Sequence, residues 1–313
     1  MAVDNNYELK LITKVARLYY FDNLNQQKIS EKLNITRSKV SRCLTKAKKK
    51  KIVEIKINSP YEKFEELSDK VEKTFNIKEC LIVPSSENIE QTYRLLASAL
   101  AEFFDRVLKE NDYIGVGWGT TLKSISRYIE PARKVPIKII PLVGGLGKFG
   151  VEVHTNSVAS ILAEKYGGIS YAMHSPAVLD SSYAKEILEN DSNIKEVFNM
   201  IDKVSIALLG MSDIGKDSTM IKSGNFNVND FAYLESLGVI GDVNLIFINK
   251  EGQTVNNEID KRILKAPLEK IKKIKNVVGI AFGKKKVDVI RAALLGKIIN
   301  IILTDEKTAQ NLI

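Results

Sequence analysis

The sequence predicts an α/β protein in which a small helical domain precedes a larger domain with a mainly parallel β-sheet. From Cys80 onward, short apolar runs of strand length alternate with segments of helical periodicity. Several of these runs are apolar throughout, as strands covered on both faces must be. Before Cys80 the apolar residues mostly follow a helical period instead, and a run of lysines occupies residues 48–51.

Size and charge set the broad class. A chain of 313 residues with 44% hydrophobic residues has room for a small module and one larger domain with a sizeable core. The net charge is +9, and much of the excess lies within residues 28–51, which favours a nucleic-acid partner. Cys43 and Cys80 are isolated, so we expect no disulfide, no metal site and no cofactor. Neither a signal peptide nor a membrane-length apolar stretch is evident, so we expect a cytoplasmic protein without a membrane partner.

Residues 25–51 predict two short helices joined by a tight turn. Asn25 can cap the first helix, and Thr36 can cap the second. Asn34 tolerates the left-handed conformation that a sharp turn needs. Residues 7–20 carry apolar side chains at helical spacing and predict a further helix that packs on this pair.

The second helix of this pair has one apolar face and one basic face. Val40, Leu44 and Ala47 face inward, and no acidic residue occurs within residues 36–51. A solvated lysine-rich surface is the plainer interpretation, but the layout is typical of a helix-turn-helix whose second helix enters the major groove. We assign arginine and serine side chains to base edges and lysines to DNA phosphates. The candidate DNA contacts are Gln26, Arg37, Ser38, Lys39, Ser41, Arg42 and Lys46.

A boundary between the domains is predicted near Ser59-Pro60. Residues 51–58 alternate apolar and charged side chains, which predicts a short strand beside the recognition helix. The predicted organisation is a DNA-binding domain at 1–59, a linker helix at 60–78 and an effector domain at 79–313. The linker helix carries an apolar stripe that either packs in the core or pairs two subunits, formed by Phe64, Leu67, Val71 and Phe75.

The larger domain is predicted to be Rossmann-like, because its strands and helices alternate. The predicted strands lie at residues 80–84, 113–118, 137–143, 204–210, 243–249, 276–282 and 298–304. The clearest helical segments lie at residues 89–108, 120–129 and 156–166.

The strongest candidate binding loop follows the second predicted strand. Gly115, Gly117 and Gly119 are followed at once by Thr120 and Thr121 at the start of a helix. Glycines let the backbone approach a ligand, while N–H groups at a helix start and hydroxyl groups can cradle a phosphate. The alternative is a tight strand-to-helix turn in which Thr120 is only a cap. The spacing fits neither a Walker motif nor a dinucleotide-binding fingerprint.

Further candidates lie after other strands, where parallel sheets bind ligands, or, in the case of Asp242, at the opening of a strand. They are Gly144, Gly145, His154, Asn156, Asp242 and the lysines at positions 284–286. Taken singly, each has a plain structural explanation as a turn former, a cap or a solvated charge. The sequence shows no nucleophile elbow, no Cys–His pair and no zinc spacing, so the pattern indicates binding without chemistry.

Four segments occur in a characteristic order: the helix-turn-helix, GVGWGTTL, PLVGGLG with HTNSVA, and GIAFGKKKVDVIRAALLGKIINIILTDEKTA. In this combination they resemble the SorC family of bacterial sugar-responsive transcription regulators over essentially the whole chain. The resemblance implies an effector domain similar in fold to phosphosugar isomerases and deaminases. It also implies assembly into tetramers built as dimers of dimers.

Carried over by position, the resemblance implies a site for a phosphorylated sugar effector. The candidate phosphate contacts are Gly117, Gly119, Thr120, Thr121 and Lys286. The candidate sugar contacts are Gly144, Gly145, His154, Asn156 and Asp242. Val143 stands where some members carry a lysine that forms a Schiff base or an arginine that adds a phosphate contact, so the resemblance implies neither mode here.

The leading hypothesis is a regulator that binds double-stranded operator DNA as a homo-oligomer, a dimer or tetramer, under the control of a small phosphorylated sugar. A second hypothesis is a sugar-phosphate isomerase or deaminase with an appended DNA-binding module. That chemistry needs a positioned acid–base pair, for which Asp242 and His154 are the only candidates. A third is a basic RNA-binding or scaffold protein.

Overall fold

The computed structural model describes residues 2–55, 62–145, 155–215, 218–222 and 224–313, and it divides into two compact units, Met1–Glu62 and Lys63–Ile313. The helices are α1 (Ala2–Tyr20), α2 (Gln26–Leu33), α3 (Arg37–Lys49), α4 (Glu62–Phe75), α5 (Ile89–Val107), α6 (Thr120–Tyr128), α7 (Thr155–Tyr166), α8 (Ser182–Asn190), α9 (Ser192–Met200), α10 (Thr219–Lys222), α11 (Val228–Ser236), α12 (Leu268–Lys273), α13 (Val287–Leu295) and α14 (Glu306–Leu312). The strands are β1 (Glu79–Val83), β2 (Tyr113–Val116), β3 (Lys138–Pro141), β4 (Ile169–Ser170), β5 (Val204–Asp213), β6 (Gly241–Val243), β7 (Ile246–Ile248), β8 (Asn276–Ile280) and β9 (Ile301–Asp305).

The first unit is a three-helix cluster of α1, α2 and α3 around one apolar core. Ile12, Val15, Ile29 and Val40 are fully buried in that core. The inward placement predicted for Val40 is therefore confirmed, as it is for Leu44 and Ala47 on the same face of α3.

The turn between α2 and α3 follows the local rules read from the sequence. The Asn25 side chain accepts a hydrogen bond from the Lys28 N–H at 2.9 Å and so caps α2. Asn34 ends that helix in the left-handed region at φ 50°. Thr36 then caps α3 by accepting from the Lys39 N–H at 3.2 Å. Both predicted caps and the predicted left-handed residue are confirmed.

The strand predicted for residues 51–58 is not formed over its described part. Residues 51–55 contain only turn, bend and irregular backbone, and the rest of the prediction lies outside the described residues. The N–H groups of Ile52 and Val53 both donate to the Ala47 carbonyl at the end of α3. Their side chains pack against the three-helix core. The apolar residues that suggested an alternating strand thus close the end of a helix instead.

The second unit contains the predicted parallel sheet. Its strand order is β1-β9-β8-β5-β2-β3-β4, and every neighbouring pair in that path is parallel. The chain runs outward from β2 through β3 to β4, and outward in the other direction from β5 through β8 to β9. The direction of winding therefore reverses between β2 and β5. In open α/β sheets, ligands bind in the crevice that such a reversal leaves at the carboxyl ends of the strands.

Side chains of the central strand β5 alternate between two apolar layers. Ile206 and Leu208 pack with residues of α5, α6 and α7 in one layer. Ala207 and Leu209 pack with residues of α4, α9 and α13 in the other. Since both faces are covered by helices, the continuous apolar runs of the sequence are explained. Among the described residues, no helix is both long and apolar enough to span a membrane.

The single strand predicted at residues 243–249 is in fact a hairpin. Strands β6 and β7 pair antiparallel with each other, and β6 pairs antiparallel with the last residues of β5. The two residues between β6 and β7, Asn244 and Leu245, both have positive φ angles, of 52° and 64°. The apolar run continues through this turn because Leu245 is itself fully buried.

The apolar stripe of α4 packs inside the second unit. Leu67, Val71 and Phe75 are at most 8% exposed, and Val71 and Phe75 belong to the apolar cluster on one face of the sheet. The Ser68 hydroxyl donates to the Cys80 carbonyl at 2.7 Å and fixes the helix beside β1. Of the two uses predicted for this stripe, core packing is the one the fold shows.

The burial of Ile29 predicts the response of the first unit to mutation. Ile29→Ala removes a fully buried side chain and should cost about 2–5 kcal/mol, comparable to the whole stability of a unit this small. Calorimetry should show early or absent unfolding of the first unit, with the main transition of the second unit retained. Ile187→Ala, at a position 53% exposed, is the matched control and should leave both unchanged. An equal shift of both transitions by Ile29→Ala would contradict two separately stable units.

Candidate functional site

A cleft of about 330 Å³ lies at the carboxyl edge of the sheet, where the winding reverses between β2 and β5. Three segments meet there: the β2–α6 loop, the end of β5 with its β6 partner, and the short helical turn Lys284–Lys286 after β8. The lining residues are Trp118, Gly119, Thr120, Thr121, Gly210, Met211, Ser212, Asp242 and Lys286.

The β2–α6 loop presents the start of a helix to the cleft. Gly119 precedes α6 with φ 126°, a conformation that side-chain-bearing residues rarely adopt, and no side-chain hydrogen bond caps the helix. A position for Cβ on Gly119 would have no heavy atom within 4 Å, so its backbone is open to the cleft. Thr121 is buried and lines the wall. A helix start of this kind carries unbonded N–H groups and partial positive charge, which suit an anion.

Lys286 places a cation in the same cleft. It follows β8 and the left-handed Gly283, and it is the one lysine of the 284–286 run that lines the cleft. Burial lowers the pKa of its ammonium group, and the nearby carboxylates of Asp242 and Asp213 act in the opposite direction. The sequence alone left three lysines open, and the family resemblance selected Lys286.

Asp242 is a buried acid at the floor of the cleft. It is 1% exposed, and burial raises the pKa of its carboxyl group to about 7, although the Leu245 N–H and the charges of Lys286 and Lys265 oppose that rise. Asp242 Oδ2 accepts a hydrogen bond from the Leu245 N–H at 2.7 Å. Asp242 Oδ1 is buried and has no hydrogen-bond partner among the described residues. The hydrogen bond to Oδ2 thus holds the carboxyl group in place, while Oδ1 has no partner in the described part of the protein.

The structure brings together five of the candidate effector contacts and leaves four of the others away from the lining. Gly119, Thr120, Thr121, Asp242 and Lys286 all line the cleft. The remaining described candidates, none of which is among its described lining residues, are Gly117, Gly144, Gly145 and Asn156. His154 lies outside the described residues.

These four residues have structural roles that explain their positions. Gly117 continues β2 by donating its N–H to the Leu208 carbonyl at 2.8 Å. Gly144 and Gly145 donate their N–H groups to the carbonyls of Leu264 and Ser175, at 3.1 and 2.8 Å. The Asn156 amide both donates to and accepts from the backbone of Met173, at 3.0 Å in each case. The second glycine loop is therefore bonded into the fold over its described part.

Trp118 and Lys265 are among the side chains near the cleft that reasoning from the sequence did not find. Trp118 lines the cleft, although it stood inside the glycine loop that the sequence singled out. The Lys265 ammonium is buried behind the cleft, where it donates to the Leu245 carbonyl at 2.6 Å and pairs with Asp260. Burial lowers the pKa of Lys265. Its place beside Asp242 depends on a loop more than twenty positions away, and no local pattern marks it.

Six of the seven candidate DNA contacts lie on the outer face of α3. Arg37, Ser38, Lys39, Ser41, Arg42 and Lys46 are exposed, and Gln26 at the start of α2 is half-buried. Lys46 forms an ion pair with Glu8 of α1, which lowers the pKa of that carboxyl group. Part of the charge assigned to DNA phosphates at Lys46 is therefore already balanced within the protein.

A comparison with protein families identifies the second unit. Residues 59–313 match the Sugar-bind family, described as "Putative sugar-binding domain". The matched range covers the sheet, its helices and the cleft, and therefore most of the chain.

Relatives match over nearly the full length of both proteins. The chain is 29% identical over 306 residues to the deoxyribonucleoside regulator of Bacillus subtilis (97% of each chain), and 28% identical over 321 residues to the sorbitol operon regulator of Klebsiella pneumoniae (99% of this chain and all of that one). The crystal structure of the full-length sorbitol operon regulator SorC from Klebsiella pneumoniae is similar with a TM-score of 0.76 and 27% identity, covering 97% of this chain and 98% of that chain. These relatives are named as regulators, not enzymes. The chain belongs to the SorC family of sugar-binding transcriptional regulators.

Proposed function

We propose that this protein is a DNA-binding transcription regulator of carbohydrate metabolism whose operator binding is controlled by a small phosphorylated sugar. The observation that carries this proposal is the meeting of Gly119, Thr121, Lys286 and Asp242 in one cleft at the reversal of the sheet. The first three suit an anion and the fourth suits a hydroxyl group. Because it acts on DNA, we place the regulator in the cytoplasm.

The phosphate end of the effector belongs at the start of α6. The uncapped N–H groups there, the Thr120 and Thr121 hydroxyls and the Lys286 ammonium converge from two sides. A phosphate interacts favourably with both the helix dipole and the cation. A neutral sugar would use neither, which is why we assign a phosphorylated effector.

The sugar end belongs beside Asp242. Its Oδ1 is buried without a partner in the described part of the chain, and a buried polar atom of that kind costs about 1–3 kcal/mol unless it is hydrogen-bonded. A sugar hydroxyl can donate to the ionised carboxylate or accept from the protonated acid. Asp242 can therefore bind the sugar in either protonation state.

The DNA-binding function rests on the first unit. The α2–turn–α3 arrangement exposes Arg37, Ser38, Ser41 and Arg42 near the start of α3, where a recognition helix contacts base edges. The lysines that follow can neutralise DNA phosphates. We propose a homo-oligomer, a dimer or tetramer, because two recognition helices one DNA turn apart read a near-palindromic operator. The effector would shift the balance between two arrangements by no more than its difference in affinity for them.

A thermal-shift screen with sugar phosphates and the matching free sugars tests the proposed effector class. A ligand that binds only the folded protein raises its melting temperature, by an amount equivalent to about 2.7 kcal/mol at a hundredfold excess over Kd. We expect shifts from sugar phosphates and none from the free sugars. Equal shifts from both would refute the phosphate site.

Thr121→Asp should weaken binding of sugar phosphates by at least about tenfold, or about 1.4 kcal/mol, because it places a carboxylate in the wall of the phosphate site. Binding to DNA without effector should stay unchanged, since Thr121 lies in the second unit. Thr74→Asp on the exposed face of α4 is the matched control. Unchanged ligand affinity by calorimetry would remove Thr121 from the site.

Asp242→Asn should change the dependence of stability on pH. The carboxyl pKa rises from 3.8 to about 7 on folding, so between these values the native state holds a proton that the unfolded state has lost. Stability from this group is therefore full below pH 3.8 and lost as pH rises through 7, at most about 4 kcal/mol in all. The variant should unfold at higher denaturant concentration than the parent at pH 8, and this advantage should shrink toward pH 4.5. An advantage independent of pH would contradict a protonated Asp242.

Arg42→Ala should relax DNA sequence preference. A bidentate contact to a base is worth about 1–3 kcal/mol, so the ratio of affinities for a selected duplex and a random duplex should fall by about 5-fold to 150-fold. Fluorescence anisotropy at fixed salt measures both affinities. Lys48→Ala is the comparison and should weaken both duplexes alike. If Arg42→Ala also weakens both alike, Arg42 contacts phosphates instead.

A further inference from the structure

Asn244 is the most unusual buried polar residue near the cleft. It is 0% exposed, and neither its amide oxygen nor its amide nitrogen has a hydrogen-bond partner within the described part of the chain. Leaving such groups unpaired costs about 1–3 kcal/mol each. No sequence motif pointed to this residue.

The surroundings of Asn244 connect it to the cleft. Its N–H donates to the carbonyl of Gly210, a lining residue, at 3.1 Å. Its side-chain oxygen would lie 2.5 Å from a Cβ placed on Gly117, so the amide packs against the backbone just before Trp118. Asp242, with its own unpartnered oxygen, lies two residues earlier on β6. The amide therefore lies directly behind the two segments that form the floor of the cleft.

The turn that carries Asn244 is held in a costly conformation. Asn tolerates the left-handed region, but Leu245 at φ 64° is strained. Two contacts hold Leu245 there: its N–H donates to Asp242 Oδ2, and its carbonyl accepts from the Lys265 ammonium. Strain maintained in this way is characteristic of ligand-binding sites. It keeps the Asn244 amide directly behind the cleft floor, next to the lining residue Gly210.

We propose that Asn244 is a specificity-determining residue that reads a hydroxyl or carbonyl group at the sugar end of the effector. This inference rests on the proposed function, because the phosphate end must occupy the start of α6. A neutral amide offers one group that donates and one that accepts, which matches a hydroxyl and discriminates against its deoxy analogue. The amide and the oxygen of Asp242 would thus share the polar atoms of one sugar.

The test compares ligands that report on the two ends of the site separately. Inorganic phosphate probes the phosphate end alone, while ribose 5-phosphate, 2-deoxyribose 5-phosphate, glucose 6-phosphate and 2-deoxyglucose 6-phosphate add sugar ends that differ by single hydroxyls. We expect Asn244→Ala to weaken the tightest sugar phosphate of this panel at least about tenfold and inorganic phosphate less than about twofold. Asn244→Asp keeps the size and tolerates the left-handed backbone, and it should weaken the same sugar phosphate by removing the donor.

Asn111→Ala is the matched control, because Asn111 also has a left-handed backbone, at φ 65°, and is exposed. It should change neither affinity. Equal weakening of phosphate and sugar phosphate by Asn244→Ala, or no weakening of the sugar phosphate, overturns the assignment. If inorganic phosphate binds and Thr121→Asp abolishes that binding, the phosphate site stands whatever Asn244 does. If no ligand of the panel binds the parent protein, both the phosphate site and the Asn244 assignment fall.

Discussion

The reversal of strand order between β2 and β5 is the constraint on which the site depends. Because successive connections leave the sheet in opposite directions there, a crevice remains at the carboxyl ends of these two strands. The glycine loop after β2 and the end of β5 can therefore face each other across a cleft. The β6–β7 hairpin brings Asp242 to the same place by pairing with the last residues of β5.

Burial decides the electrostatics of that cleft. A carboxyl group in water would be ionised at neutral pH and would repel a phosphate, but burial raises the pKa of Asp242 to about 7. Near neutrality the acid is thus partly protonated, while the start of α6 still presents partial positive charge. The same burial lowers the pKa of Lys286, and the nearby carboxylates of Asp242 and Asp213 oppose that shift only in part. An anion entering the cleft favours the charged lysine and the neutral acid together.

Reasoning from the sequence succeeded where local rules decide the structure. Asn25, Asn34 and Thr36 have the conformations and caps that their side chains favour, and several apolar strands, such as β8 and β9, are buried on both faces as predicted. It failed where contacts between distant segments determine the structure. Gly144 belongs to a glycine loop that resembled a ligand-binding loop, but its N–H donates to the carbonyl of Leu264, which is distant in the sequence. The hairpin of β6 and β7 was read as one strand because an apolar residue occupies its turn.

The site residues divide in the same way. Thr120, Thr121 and Lys286 belong to segments whose local pattern resembles a known family, so their positions could be transferred. Asn244 has no such pattern, and only the structure identifies it, because its buried amide has no hydrogen-bond partner among the described residues. An effector changes the balance of states only through interactions that differ between them. A buried polar atom without a partner gains free energy when a ligand forms a hydrogen bond with it. The effector therefore controls DNA binding through the Asp242–Asn244 turn only to the extent that this turn binds it better in one arrangement of the protein than in the other.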